Sequence, residues 1–459
     1  MPNNAFSTLS LNQSMLDNLD SLGYREMTAI QSQSLPLILS GKDVIAKAKT
    51  GSGKTAAFAI GLLSKLNVTL FQVQALVLCP TRELADQVSK EIRRLARFTR
   101  NIKVLTLCGG MPFGPQLASL DHGAHIVVGT PGRIHEHLRK NSLQLSRLNT
   151  LVLDEADRML EMGFEDAINA VVEKLPDHRQ TLLFSATYPD SIAQMSAHFQ
   201  RKPIEVRAEA VHNDQHIEQH FYEVDKQEKR QALDQLLRHF QPGSAVVFCN
   251  TKKAAQEIAD YLYEQGHRAV ALHGDLEQRQ RDQTLVLFAN GSRTVLVATD
   301  VAARGLDVKE LSMVINYDVT RDAEVHVHRI GRTGRAGQKG LALSLFTVQE
   351  AYRITAIEDY LQCEITVESL PDRGLEHSPV EPDVITLCID GGRKNKVRPG
   401  DLLGALTGEG GIDGKQVGKI DCFDFCTYVA IKKNDVDKAL KKLQQDKIKG
   451  KKFKVRKLR

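Results

Sequence analysis

The sequence predicts an α/β protein: two tandem domains, each built on a parallel sheet, followed by a small α+β domain. Three observations carry that expectation. The chain has 459 residues, room for about three domains at ~150 residues apiece. Short apolar runs recur from residue 44 to about 347 in two series, separated by segments with helical spacing such as ELADQVSKEIRRLARF (83–98). Runs that are apolar on both faces and alternate with helices are parallel strands covered on both sides. Past residue 383 the order of elements changes, and the third domain begins there.

The first series opens on VIA (44–46). It continues through QALVLCP (74–80), KVLTLCGG (103–110), HIVVGTP (125–131), TLVLDEAD (150–157) and QTLLFSAT (180–187), within a domain spanning 1–206. A polar, His-containing stretch near 207–216 reads as a linker. The second series, in a domain spanning 217–370, is AVVFCNT (245–251), AVALHGD (269–275), TVLVATD (294–300), MVINYDV (313–319) and LALSLF (341–346). PDRGLEHSPVEP (371–382), rich in proline and charge, is a second linker. Residues 383–459 then read β (385–390), α (399–411), β (414–421), β (426–431), α (434–445), β (452–458). That βαββαβ order is the ferredoxin-like arrangement used by RNA-recognition modules.

The net charge of +5 is unevenly spread. Residues 380–459 hold 19 Lys and Arg against 11 Asp and Glu, which leaves residues 1–379 slightly acidic, at −3. No stretch approaches the ~18 consecutive apolar residues of a membrane helix. MPNNAFSTLS lacks the basic and apolar regions of a secretory signal. Seven cysteines without such a signal argue against a disulfide framework. Cys422 and Cys426 have no second Cys/His pair at zinc-site spacing, so buried free thiols are expected. A cytoplasmic protein with no membrane segment is the expectation.

Small and polar residues follow the strands: Pro80, Gly109, Thr130, Asp154, Ser185, Asn250, His273 and Thr299. In open parallel sheets, ligands bind outside the carboxyl ends of the strands, so these positions point to one edge of each sheet. AKTGSGKT (48–55) lies between a strand and a helix. Gly51 and Gly53 let backbone amides approach phosphate oxygens at the helix N-terminus. Lys54 supplies a charge for β/γ phosphates, and the Thr55 hydroxyl suits Mg²⁺. The strict phosphate-loop pattern has Gly where this chain has Ala48. In DEAD (154–157), Asp154 is placed to hold Mg²⁺ through water and Glu155 to orient or deprotonate attacking water. HRIGRTGR (328–335) carries Arg329, Arg332 and Arg335, a residue type that stabilises a transferring phosphoryl group; lying in the second domain, it makes closure of two domains a possible switch. His326 and His328 lack further ligands at metal spacing, and for His328 a hydrogen-bonding role is expected.

In this order, the motifs resemble the DEAD-box RNA helicases of superfamily two, over about residues 5–370. The resemblance implies two RecA-like domains and ATP-dependent RNA unwinding, with ATP and Mg²⁺ as cofactors, RNA as partner and no DNA. GYREMTAIQ (23–31) looks like the adenine-reading motif, with Gln31 on the base and Phe6 stacking; the family usually has Pro at the place of Met27. Ala48 is the family's usual residue, and Ser52 belongs to the phosphate loop. The resemblance puts Pro80, Thr81 and Arg82, Gly110, and Thr130 and Arg133 on the RNA backbone, and makes SAT (185–187) the link between ATP state and RNA. In the second domain Gln278 and Arg281 match a further motif. Thr299 and Asp300 would face RNA, Asp307 the ATP ribose, and Arg332 and Arg335 the phosphoryl group. Threonines, amides and arginines suit a sugar-phosphate backbone and carry no base code.

LCIDGGRKNKVRPGDLLGALTGEGG (387–411) is similar to the RNA-binding domain of one bacterial branch of that family. This implies recognition of a large-subunit (23S) ribosomal RNA hairpin near the peptidyl transferase centre and a role in assembling ribosomal particles. The cold-shock branch, with a related domain, and an ATP-gated RNA clamp are the alternatives. RNA-recognition sheets usually stack bases on aromatics of their central strands. Here ITLCID has none and CTYVAI only Tyr428, so loops and a basic face are expected instead: Arg393, Lys394, Lys396 and Arg398 beside Gly391-Gly392. The stretch 447–459, with eight Lys and Arg and no acid, is expected to be a partly ordered RNA-facing strand.

Overall fold

The computed structural model describes residues 4–48, 52–97, 99, 101–188, 190–207, 217–303, 311–334, 339–372 and 377–458. Gly51, Asp307 and Arg335 lie outside the described residues, as does most of the linker near 207–216. The chain divides into two compact units, one holding the first sheet and the other holding the second and third.

The first sheet contains β1 (Val44–Lys47), β2 (Ala75–Leu78), β3 (Val104–Leu107), β4 (Ile126–Gly129), β5 (Thr150–Asp154), β6 (Gln180–Ser185) and β7 (Ile204–Arg207). Their order is β3-β4-β2-β5-β6-β1-β7, and every pairing is parallel. Alternate residues feed two cores. Val44, Ala46, Val77, Val152 and Phe184 face one layer of helices. Ile45, Leu76, Leu78, Leu151 and Leu183 face the other. The expectation of a sheet covered on both sides holds.

The second unit repeats the plan with β8 (Ile217–Glu223), β9 (Ala245–Phe248), β10 (Ala269–Leu272), β11 (Val295–Ala298), β12 (Met313–Asn316), β13 (Gly340–Phe346) and β14 (Val367–Glu368). The order is β10-β11-β9-β12-β13-β8-β14, again all parallel. Because the strands of each sheet run one way, the residues after them gather on a single edge. Three strands carry no continuous apolar run. β7 buries only Val206, β14 is a two-residue exposed strand, and β8 mixes buried Phe221 and Tyr222 with wetter neighbours.

The third domain is the expected βαββαβ unit. β15 (Val384–Ile389), β16 (Val417–Cys422), β17 (Thr427–Lys432) and β18 (Val455–Lys457) pair antiparallel in the order β16-β17-β15-β18. Leu387, Ile389, Val429 and Ile431 pack under the helices Pro399–Thr407 and Val436–Gln445 through Leu402, Leu406, Ala439 and Leu443. The opposite face of the sheet is also covered. Cys388 and Tyr428 form a small core with Val286 of the helix Gln278–Ala289 in the second domain. The Thr386 hydroxyl there accepts from Asn290 Nδ2 at 2.8 Å and meets the Ser292 hydroxyl at 2.7 Å.

Candidate functional site

In the first unit the described phosphate-loop residues, Ala48 and 52–55, follow the carboxyl end of β1. Gly53 has φ +93°, and a Cβ there would lie 2.5 Å from Gln31 Nε2, so glycine is required. The helix Lys54–Lys65 starts at that turn, with Thr55 half-buried in its first turn. Lys54 is 6% exposed, and its ammonium and the Ser52 hydroxyl are both buried without a hydrogen-bond partner among the described residues. A buried cation left unpaired is costly, so an anion at a helix N-terminus fits this place. The donor set suits polyphosphate.

Gln31 spends its amide locally. Its Oε1 accepts from the Thr28 amide at 2.9 Å as part of a capping box, and its Nε2 donates to Gly53 O at 3.1 Å. The residue expected to read a base is thereby tied to the phosphate loop. Phe6, expected to stack on that base, is buried in the first core with its ring edge-on to Tyr24.

At the end of β5, Asp154 is 2% exposed. Burial pushes its carboxyl up to about 7, against the pull of Lys54 nearby. A multivalent cation would reverse that balance. Glu155 adopts the left-handed conformation, φ +52° and ψ +53°, at the N-cap of the short helix Ala156–Glu161. For a non-glycine residue this costs about 1–3 kcal/mol, so the surrounding packing holds it there.

Asp157 is a residue that motif reading left without a role. Its Oδ2 accepts from the amides of Ala186 and Thr187 at 3.2 and 2.9 Å and from the Thr187 hydroxyl at 3.1 Å. Burial alone would raise its pKa; the Thr187 amide and Lys54 outweigh burial and hold the carboxylate below the usual range. DEAD and SAT are thus joined by hydrogen bonds across β5 and β6.

The residues expected on an RNA backbone gather on the same edge of this sheet. Pro80, Thr81 and Arg82 follow β2, with Thr81 capping the helix Arg82–Leu95 through the Leu84 amide at 3.2 Å. Gly110 follows β3 with φ +73°. Thr130 follows β4 and accepts from the Gly109 amide at 3.3 Å. Arg133 donates to Met111 O at 2.9 Å and pairs with Glu136 at 3.0 Å.

In the second unit the strand ends converge on Arg329, which is 2% exposed. All five of its N–H donors are used. Nε and Nη2 grip Asp300 at 2.6 and 2.7 Å, Nη2 also reaches Asn250 Oδ1 at 3.0 Å, and Nη1 bonds Asn316 Oδ1 at 3.1 Å and Asp318 O at 2.6 Å. A guanidinium so committed has no donor left for phosphate. Of the three arginines in HRIGRTGR, this one joins the ends of β9, β11 and β12, and Asp300 is its ion partner. Thr299 is 8% exposed beside it, and Arg332 lies two residues beyond the helix Ala323–Ile330. Gln278 begins the helix Gln278–Ala289, which also carries Arg281. His326 is 1% exposed, with Nδ1 3.5 Å from Asn316 Nδ2 and Nε2 3.2 Å from Gln219 Oε1. That makes it a link in a polar chain rather than a metal ligand. Among the described residues no cluster of His, Cys, Asp or Glu is placed to hold a metal, and no helix is long and apolar enough to cross a membrane. All seven cysteines are free.

In the third domain Arg393, Lys394, Lys396 and Arg398 are exposed and, among the described residues, in no ion pair; Lys396 turns the chain with φ +63°. Tyr428, 1% exposed, lies in the docked face and presents no ring to solvent.

Comparison with known proteins agrees with this geometry. The model described as "DEAD/DEAH box helicase" matches residues 28–195, and "Helicase conserved C-terminal domain" matches 228–337. "DbpA RNA binding domain" matches 386–457. ATP-dependent RNA helicase DbpA of Escherichia coli (strain K12) is 56% identical over 456 residues, 99% of this chain and 100% of that protein. The protein of that name from Bacillus subtilis (strain 168) is 38% identical over 98% of this chain and 99% of its own length. Among solved structures, S. cerevisiae Dbp5 bound to RNA and ADP BeF3 is similar with a TM-score of 0.73 and 31% identity, covering 80% of this chain and 96% of that one. The chain belongs to the DEAD-box ATP-dependent RNA helicases that carry a DbpA RNA-binding domain.

Proposed function

We propose that the chain is a cytoplasmic, RNA-dependent ATPase that separates short RNA duplexes. Its third domain directs it to a hairpin of large-subunit (23S) ribosomal RNA during assembly of that subunit. In this reading Ser52, Gly53, Lys54 and Thr55 hold the ATP phosphates, with Gly51 in the same loop. Gln31 and Phe6 take the base and Asp307 the ribose. Thr55 and Asp154 hold Mg²⁺, largely through water; the ion would neutralise phosphate charge. Glu155 orients the water that attacks the phosphoric anhydride, and Arg332 and Arg335 stabilise the charge on the transferring phosphoryl group. Pro80, Thr81, Arg82, Gly110, Thr130, Arg133, Thr299 and Asp300 grip the RNA backbone without reading sequence.

The observation that carries the ATP half is the buried Lys54 ammonium beside Asp154, without a hydrogen-bond partner among the described residues. The ribosomal half is supported by a third domain that matches the DbpA RNA-binding domain and presents Arg393, Lys394, Lys396 and Arg398 to solvent. Steady-state ATPase of the whole chain with 23S fragments and with random RNA tests both halves. Hairpin-bearing fragments are expected to stimulate at lower concentration than random RNA. Equal stimulation would remove the target assignment, and no stimulation by any RNA would remove the helicase reading of these residues.

A further inference from the structure

Phe425 is 73% exposed, more than any other large apolar side chain among the described residues. It lies in the short connection 423–426 between β16 and β17, which is closed by the Phe423 amide donating to Cys426 O at 2.8 Å. The two aromatics of this connection part company. Phe423 turns inward, edge-on to Tyr428 with ring centroids 5.5 Å apart, while Phe425 is left in water. Leaving a phenyl side chain exposed forgoes about 1.5–3 kcal/mol of burial.

The connection is locked to the basic segment of the domain. The Arg393 amide donates to Phe423 O at 2.8 Å and the Lys394 amide to Asp424 O at 2.9 Å. A Cβ at Gly392 would lie 2.2 Å from Phe423 O, so only glycine allows this approach. Arg393 and Lys394 therefore leave the backbone right beside Phe425, both exposed and, among the described residues, neither ion-paired. One acid, Asp424, stands in the same turn and is half-buried.

A lone exposed phenylalanine is ordinary on a protein surface. One fastened by backbone bonds to unpaired cations has the composition that binds unpaired nucleotides: a π-face for the base and positive charge for the flanking phosphates. The ring most expected to stack in such a domain, Tyr428, is covered by the second domain.

We propose that Phe425, with Arg393 and Lys394, forms a stacking site for an unpaired RNA base. The inference rests on the reading of the third domain as an RNA-binding domain and adds a residue that determines which RNA it prefers: one with unpaired bases rather than a blunt duplex.

The test uses the full-length chain without nucleotide, a fluorescein-labelled RNA stem-loop, and a blunt duplex of the same stem. Phe425→Ala is expected to weaken stem-loop binding about fivefold to a hundredfold, the range for loss of one base–aromatic stack. Duplex binding and the salt slope stay as in the wild type, and Phe425→Tyr restores affinity. The chain has no tryptophan, so Phe425→Trp installs a single emitter whose fluorescence a stacked base quenches. Both the loss and the quenching are required; absence of either overturns the stacking site. The control is Arg393→Ala with Lys394→Ala. If that pair weakens binding while Phe425→Ala does not, the ring serves some other partner and stacking is wrong. If neither weakens it, the RNA-binding reading of this face fails as well.

Discussion

Buried charges separate the residues that await a ligand from those that hold the frame. Among the described residues Lys54 is buried with no hydrogen bond from its ammonium, whereas Arg329 is buried with five from its guanidinium. Lys54→Ala is expected to cut multiple-turnover ATP hydrolysis at least a hundredfold while leaving stem-loop binding by the third domain intact; loss of both would contradict their separation. Arg329→Lys keeps the charge but brings three donors to a place that uses five, so acceptors at the ends of β9, β11 and β12 are stranded. It should cost about 2–4 kcal/mol, read as a lower thermal midpoint of the full chain, and an unchanged midpoint would refute the hub. His326 gives a pH test. Burial, with Arg329 close by, pushes its imidazole down to about 4, from about 6.5 in an unfolded chain. Between those values the unfolded state binds the extra proton, so this histidine makes stability fall as pH drops from 6.5 toward 4, by at most about 3 kcal/mol, and has no effect above. An NMR titration should find the ring still neutral at about pH 5.5.

Elements were legible in sequence wherever both faces of a strand are buried. β2, β5, β9 and β11 announce themselves as apolar runs, and the third domain's βαββαβ order reads directly from its alternation. β7 and β14 escape because an edge strand with one wet side needs no such run, and β8 because its buried residues are interrupted. The strand-end positions of the candidate site were legible for the same reason, since parallel strands send their loops to one edge. Asp157 and Arg329 were not legible as positioning residues, because their partners lie at the ends of other strands: SAT at the end of β6 for one, and Asn250, Asp300 and Asn316 at the ends of β9, β11 and β12 for the other. Docking of the third domain on the helix Gln278–Ala289 was invisible too. Thr386, Cys388 and Tyr428 on one side and Val286, Asn290 and Ser292 on the other bear no periodic mark of being partners. It does explain why Tyr428 is not a stacking platform. Thr386→Val should strand the Asn290 donor and the Ser292 hydroxyl and weaken the docked face by about 1–3 kcal/mol. Cys388, buried there with its thiol pushed up to about 11, reports the change. Its reaction with a thiol reagent, followed by mass spectrometry, should speed up about tenfold or more, and an unchanged rate would mean the hydroxyl does not hold the face.

Across the whole molecule, the question is whether the excess charge of the third domain acts as a sum or through particular side chains. The net +5 arises from residues 380–459, with 19 cationic and 11 anionic residues. Counted alone, the eight cations of 447–459 look like the stronger RNA attractor. The structure matches three of them with carboxylates. β18 is paired with β15, Arg456 is bonded to Asp390 at 2.7 Å, Lys457 to Asp437 at 2.6 Å, and Lys449 lies 3.5 Å from Asp401. Arg459 lies outside the described residues. Arg393, Lys394, Lys396 and Arg398 have no such partners among the described residues. A cation already matched by a carboxylate releases fewer counterions on meeting a phosphate, so Arg456 and Lys457 should each contribute less to the salt dependence than Arg393, Lys394, Lys396 or Arg398. Replacing those four by alanine is expected to flatten the slope of log K against log[salt] by roughly 0.7 per lost contact, close to 3 in all on single-stranded RNA. Alanine at Arg456 and Lys457 should change it by clearly less than about 1.4, the value for two full contacts. Both slopes come from one titration series of the full-length chain over rising salt. A loss at Arg456 and Lys457 equal, residue for residue, to that at the unpaired cluster would mean that the ion pairs open on RNA and that the number of cations, not their placement, sets the attraction.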